Sequence, residues 1–166
     1  HPPKQQAKYG RLTIMAVEDV GLADPRALEM AINVWNAYDR IGAPEGDIAL
    51  SNLVVYLAST AKSNATYAAL NAARADVGEL GSLPVPLHLR NAPTRLMKNL
   101  GYGKGYQYDH DVAGGIALDQ TAFPDEMGER VYYRPVERGL EIKLKEKLDR
   151  LRAAREQARG GDSTKD

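Results

Sequence analysis

Cysteine is absent from all 166 residues, which excludes disulfides and cysteine-ligated metal and is compatible with a reducing compartment. An excess of charge is absent too, because 22 Lys and Arg face 22 Asp and Glu. A neutral total removes whole-surface attraction to DNA or membrane, so any anion binding must come from a local patch. Histidine is scarce, and His1, His88 and His110 lie too far apart for a helical metal pair. No uninterrupted apolar run is long enough to cross a bilayer, and the N-terminus has no apolar signal core. The expectation is a soluble, cytoplasmic chain with no membrane partner.

What is present is 43% hydrophobic and 27% charged, which suits one domain with a real core, or one domain and a tail. HPPKQQAKYG, residues 1–10, reads as an irregular lead-in. RLTIMAV follows and stops at Gly21, and so abrupt a start of buried-looking residues suggests a piece of a longer protein. Asp24 can cap a helix, and Pro25 suits a first helical position. Leu28, Ala31, Ile32, Trp35 and Tyr38 then recur at helical steps as one apolar stripe. IGAPEG breaks that helix, and ALSNLVVYLAS, apolar on nearly every side, fits a helix in the middle of a bundle. SNATYAALNAARADVGEL is alanine-rich and would let another helix approach closely, until glycine and SLPVPL end it. Asn91 is a cap signal for a short helix through about Leu100. Gly101 to Pro135 reads as irregular, with helical turns possible at Ile116–Leu118. VERGLEIKLKEKLDRLRAAREQAR is a helix with Leu140, Leu144, Leu148 and Leu151 as its stripe and Glu141–Lys145 and Glu146–Arg150 as ion pairs. The pattern predicts an all-α helical bundle over residues 11–157 and a disordered tail over 158–166.

The stretch HLRNAPTRLMKNLGYGKGYQYDHD concentrates chemistry, with Arg90, Arg95, Lys98 and Lys104 ahead of any carboxylate and Tyr102, Tyr106 and Tyr108 interleaved with glycines. GYGKG has the wrong spacing for a Walker A loop, since Lys98 stands where the first glycine is needed and Gly105 where Ser or Thr is needed. Tyr106 stands where a dinucleotide fingerprint needs glycine. Two readings remain for the stretch. The cations and tyrosines form a phosphate-contacting rim for nucleic acid, or they are a solvated face and a structural buckle. Residue types alone favour the second.

Elsewhere the residues argue against an active site. Glu18 and Asp19 are adjacent and so point in different directions on a helix. His88, between two leucines, reads as a hydrogen-bonded, half-buried histidine, and Ser51, Ser59 and Ser63 lack a histidine–acid arrangement. Trp35, Tyr38, Leu53, Val54, Leu57, Ala68 and Ala72 are candidates for core or subunit interface. A stand-alone nucleic-acid-binding adaptor without motor activity is the alternative function class.

VEDVGLADPRAL, AKSNATYAALNAA, VPLHLRNAPTRLMKNLGYGKGYQY and YYRPVERGLEIKLKEKL, in this order, resemble the C-terminal region of the RarA/MgsA family of AAA+ ATPases. That family includes bacterial replication-associated recombination protein A and the eukaryotic Werner-helicase-interacting ATPase. The resemblance runs from about Arg11 to Arg152, and residues 112–129 match poorly, as a variable loop would. It implies a clamp-loader-collar-like domain that assembles a homotetramer, with ATP and Mg bound in an AAA+ module that this chain lacks. It also implies action on single-stranded or gapped DNA ends at stalled forks, association with single-stranded DNA-binding protein and replication machinery, and a nucleoid-associated location. The chain itself has no Walker A and no Walker B run, so it is not expected to be an enzyme, to hold a cofactor or to bind metal.

Overall fold

This computed structural model describes residues 4–112, 116–118 and 120–160; among them every regular element is helical and no strand occurs. In order these are α1 (Lys4–Met15), a π-helical turn (Ala16–Val20), a 3-10 turn (Gly21–Ala23), α2 (Arg26–Ile41), α3 (Glu45–Ser59) and α4 (Ala65–Leu80). A 3-10 turn (Leu87–Leu89), α5 (Arg95–Asn99), a third 3-10 turn (Asp109–Asp111) and α6 (Glu141–Gly160) complete the series. The all-α expectation therefore holds. The chain divides into two compact units, His1–Ala72 with Tyr132–Glu146, and Ala73–Val131 with Lys147–Asp166.

Two boundaries differ from the sequence reading. The supposed lead-in is helical from Lys4 onward, because KQQAK offers good helix formers and no breaker once the two prolines are past. At the other end α6 runs to Gly160, which takes in residues 158–160 of the expected tail. His1–Pro3 and residues 161–166 lie outside the described residues.

The core of the first unit is small. Ala16 and Val20 from the π turn, Ala27, Ala31 and Val34 from α2, and Leu53 and Leu57 from α3 make up its buried cluster. The π turn sends Ala16 and Val20 inward and leaves Glu18 and Asp19 exposed. On α2 the buried edge is Ala27–Ala31–Val34, so the helix is rotated from the predicted stripe. Leu28 and Ile32 are exposed, and Trp35 and Tyr38 are half-buried. Alanine explains the rotation, since a methyl-lined edge lets α3 approach more closely than a leucine-lined one. Tyr38 lies over Gly46, where an added Cβ would fall 2.6 Å from the ring, and its hydroxyl donates to Asp47 at 3.0 Å. The expectation that α3 is wrapped on all sides is corrected as well. Leu53 and Leu57 are buried, but Ile48 (65%), Val54 (48%) and Val55 (66%) face outward, since only one side of the helix packs on the core cluster. On α4 only Ala65 is buried, while Ala68 and Ala72 are exposed.

Two carboxylates organise the polar interior of this unit. Asp24 accepts from the Arg26 backbone N–H (3.3 Å) and Nε (2.8 Å), from Thr60 Oγ1 (2.7 Å) and from the Tyr56 hydroxyl. It thus caps α2 as its position suggested and also ties α2 to the end of α3. The Arg26 guanidinium, aided by the two hydroxyls and opposed by burial, holds the Asp24 carboxyl well below the usual carboxylate range. Glu141, at 0% exposure, is the deeper anchor. Its Oε2 accepts from Ser63 Oγ and from the Val136 N–H, both at 2.8 Å, and its Oε1 from the Tyr133 hydroxyl at 2.9 Å. Burial and the adjoining carboxylate push the Tyr133 phenol above its usual range. The surface pair foreseen between Glu141 and Lys145 gives way to this arrangement, and Lys145 lies 3.6 Å from Glu137. Gly139 makes the approach possible. Its φ of +55 and a hypothetical Cβ only 2.1 Å from the Ala23 carbonyl oxygen admit no side chain, and the Leu140 N–H bonds that oxygen at 2.8 Å.

In the second unit α5 starts at Thr94, whose hydroxyl accepts from the Met97 N–H at 3.2 Å, so the cap is Thr94 rather than Asn91. The residue before Pro93 is biased to extended geometry, which delays the helix. Residues 116–118 are not helical; the Ala117 N–H instead donates to Asp109 Oδ1 at 2.8 Å. Arg159 forms a forked pair with Glu129, both bonds 2.6 Å, which lowers the Glu129 carboxyl below its ordinary range.

Asp24→Asn is expected to lower stability at neutral pH by about 1–3 kcal/mol, because the amide cannot receive the same donors. A depressed folded-state pKa stabilises above about pH 4 and loses that contribution as pH falls further, so the gap between variant and parent narrows in acid. Urea titrations at pH 7 and in acid read both effects. Glu141→Ala removes the acceptor shared by the buried Ser63 hydroxyl and the half-buried Tyr133 and Val136 donors and is expected to cost on the order of 3 kcal/mol. Glu137→Ala, at an exposed pair, is expected to change stability by less than about 1 kcal/mol in the same titration.

Candidate functional site

The basic and aromatic residues of the second unit sit on α5 and on the glycine-rich loop after it. That loop closes on itself through backbone bonds. Gly101 N–H donates to the Lys98 carbonyl (3.0 Å), Tyr102 N–H to Met97 (3.1 Å) and Gly103 N–H to Leu87 (2.8 Å). Gly101, Gly103 and Gly105 all have positive φ, which is why glycine recurs at every second position. Arg90 supports the closure from below. Its Nε donates to the Val85 carbonyl (2.6 Å), its Nη1 to the Tyr102 hydroxyl (3.3 Å), and its guanidinium lies 5.2 Å from the Tyr102 ring centroid. Both residues are half-buried and spend their polar groups on the loop. His88 is half-buried as well, with Nε2 2.9 Å from the Thr121 carbonyl oxygen, so the structural reading of that histidine holds.

The other members of the predicted rim face solvent. Arg95, Lys98 and Lys104 are exposed, and Tyr106 and Tyr108 are 51% and 52% exposed. Between the two tyrosines Gln107 is half-buried, and both polar groups of its main chain bond Gln120, which sequence reasoning missed. The Gln107 N–H donates to Gln120 Oε1 (2.9 Å), and Gln120 Nε2 donates to the Gln107 carbonyl (3.3 Å). Nothing in the sequence signals this pairing, because Gln120 lies 13 positions away in an irregular stretch. The Tyr108 ring tilts against His110, centroids 5.0 Å apart.

GYGKG fails as a nucleotide cradle in three dimensions as it does in spacing. Residues 106–108 are not helical, so no helix N-terminus presents amides to a phosphate there, and no step through ATP is derived for these residues. The serines considered as nucleophiles are spent on structure: Ser51 on the Asp47 carbonyl, Ser59 on Val55, and Ser63 on Glu141. Among the described residues no group of three or more His, Asp or Glu is placed to hold a metal, and no helix is long and apolar enough to cross a membrane. Of the core or interface candidates, Leu53 and Leu57 are buried and Trp35 and Tyr38 half-buried, whereas Val54, Ala68 and Ala72 lie on the surface. For those last three only the interface role is open.

Comparison with known proteins fits this geometry. The family described as the MgsA AAA+ ATPase C terminal matches residues 6–152. Replication-associated recombination protein A of Coxiella burnetii is 52% identical over 93% of this chain and 35% of its own length. The protein of the same name from Escherichia coli strain K12 is 50% identical over 83% of this chain and 31% of its own. ATPase WRNIP1 of Dictyostelium discoideum is 39% identical over 74% of this chain and 14% of its own. The chain thus spans about a third of the length of the bacterial relatives it matches. Matched over nearly all of its helical elements and half identical to proteins of that name, the chain belongs to the C-terminal region of the RarA/MgsA family of AAA+ ATPases.

Proposed function

We propose that residues 11–157 are the assembly domain of a replication-associated recombination ATPase, joining four copies in a clamp-loader-collar-like arrangement. The observation that carries this reading is apolar surface that a single copy leaves uncovered, ordered along two helices. Ile48 and Val55 are two turns apart on α3, and both are about two-thirds exposed. Tyr67 and Leu70 follow one another along the first half of α4 beside the exposed Ala68 and Ala72. Alanines among large aliphatics suit close helix approach between subunits, and stable homo-oligomers bury largely apolar patches. Exposed large aliphatics recurring along one helix suit a surface that a further copy covers.

In this reading ATP and Mg belong to the AAA+ module of the parent ATPase, outside the residues of this chain. The chain contributes geometry and not hydrolysis. DNA with single-stranded or gapped ends is the proposed substrate of the whole assembly. Single-stranded DNA-binding protein and other replication proteins are its proposed partners, and a nucleoid-associated cytoplasmic location follows from them. A stand-alone nucleic-acid adaptor is disfavoured by the family membership, since the relatives are ATPases.

Light scattering across concentration tests the assembly. A tetramer at micromolar concentration is expected, and a chain that stays single at high micromolar overturns the proposal. Ile48→Glu with Val55→Glu is expected to shift the chain to smaller species without loss of helicity, because both side chains are exposed in one copy.

A further inference from the structure

We infer that Tyr106 and Tyr108 form a two-step stacking platform for an unpaired nucleic-acid strand, with Lys104, Lys98 and Arg95 as its phosphate-binding cations. The argument starts from the Gln120 side chain. One primary amide engages both the N–H and the C=O of Gln107. A residue presents both groups on one edge only when it is extended, as in the paired residues of a β-ladder. In extended chain, neighbours alternate sides, so Tyr106 and Tyr108 project to one face while Gln107 turns to the other. Exposure agrees with this, as the tyrosines are half-exposed on either side of a half-buried Gln107. Two residues of extended chain advance roughly 6.6 Å, too far for both rings to share one base face and suited to one base each along a drawn-out strand.

Tyr108 is further steadied by the His110 ring, and the backbone bonds of Gly101–Gly103 fix the base of the loop. The platform is thus ordered before any ligand arrives, which reduces the ordering cost of binding. Charge points to the same ligand. From Leu80 to Tyr108 the chain has no carboxylate, and with Arg90 spent on Val85 and Tyr102 the exposed cations are Arg95, Lys98 and Lys104. Asp109 and Asp111 bound the patch on the C-terminal side, and Asp109 Oδ1 is engaged by the Ala117 N–H. Lys104 stands two residues before Tyr106, and Arg95 and Lys98 lie on the helix that leads into the same loop; aromatic faces in a cation-rich stretch select unpaired bases over duplex, whose bases are already stacked. Arg90 and Tyr102 are excluded from the platform because their polar groups close the loop.

This inference deepens the DNA-association reading and rests on it for its ligand. Anisotropy of a labelled oligothymidylate with the chain tests it, alongside a blunt duplex of equal length. Tyr106→Ala and Tyr108→Ala are each expected to weaken single-strand binding about tenfold, the double variant by more. Tyr106→Phe with Tyr108→Phe is expected to keep it, because the ring faces and not the hydroxyls stack. Lys98→Glu with Lys104→Glu is expected to reduce the slope of log K against log salt by about 0.7 for each phosphate that is no longer neutralised. Photocrosslinking of a bromouracil-substituted strand is expected to mark the peptide carrying Tyr106 and Tyr108. Duplex binding without single-strand preference, or single-strand binding unmoved by the double alanine, overturns the platform and leaves the DNA reading standing. Failure of the chain to bind either probe at low salt overturns both.

Discussion

The carboxylate of Glu141 is the constraint on which the first unit depends. It is a fully buried carboxyl group at the start of a helix, and among the described residues it accepts from Ser63, Tyr133 and Val136. Such a group is tolerated only when its hydrogen bonds are complete. Completing them fixes three stretches against one another: the loop before α4, the irregular run through Tyr133 and Val136, and the first turn of α6. Gly139 and the Leu140–Ala23 bond belong to the same requirement, because a side chain at position 139 would hold α6 away from the Ala23 carbonyl. Asp24 performs the matching task between α2 and α3. Polar anchors of this kind specify geometry more than they add net stability.

They carry that role beside an apolar core of seven buried residues, in which three alanines sit with Val20, Val34, Leu53 and Leu57. Alanines at 16, 27 and 31 allow tight helix contact but bury little area per residue, and beyond Leu53 and Leu57 several large aliphatics of α3 and α4, among them Ile48, Val55 and Leu70, are exposed. A single copy therefore trades hydrophobic gain inside for apolar surface outside. That is the physical content of the assembly proposal, in a chain with both a buried carboxyl group and many exposed isoleucines and valines.

Much of this was legible in the sequence, and what was not has definite causes. The Asp24–Pro25 start of α2, the glycine and proline stop after α4 and the long C-terminal helix follow from local chemistry that needs no partner. The rotation of α2 was missed because periodicity counts Leu28 and Ile32 as core-facing by hydrophobicity, while packing preferred the alanine edge. The wrapped reading of α3 failed for a related reason, since composition cannot tell that Leu53 and Leu57 face the core while Ile48, Val54 and Val55 face outward. Glu141 read as a surface pairing partner because sequence spacing sees Lys145 four residues on but not Ser63, 78 residues back. At the tyrosine loop the residue types were visible, but their sorting was not. Arg90 and Tyr102 turned inward, and Tyr106 and Tyr108 were held outward by a glutamine that no motif marks.

The Ser63–Glu141 bond has a consequence for biosynthesis. The two residues are 78 positions apart, so at typical translation speeds the hydroxyl emerges roughly 4 to 16 seconds before its acceptor. During that interval α1, α2 and α3 have their alanine core in hand but not the clasp that closes it. The nascent segment must wait, partly open and with its aliphatic flanks uncovered, until α6 leaves the ribosome.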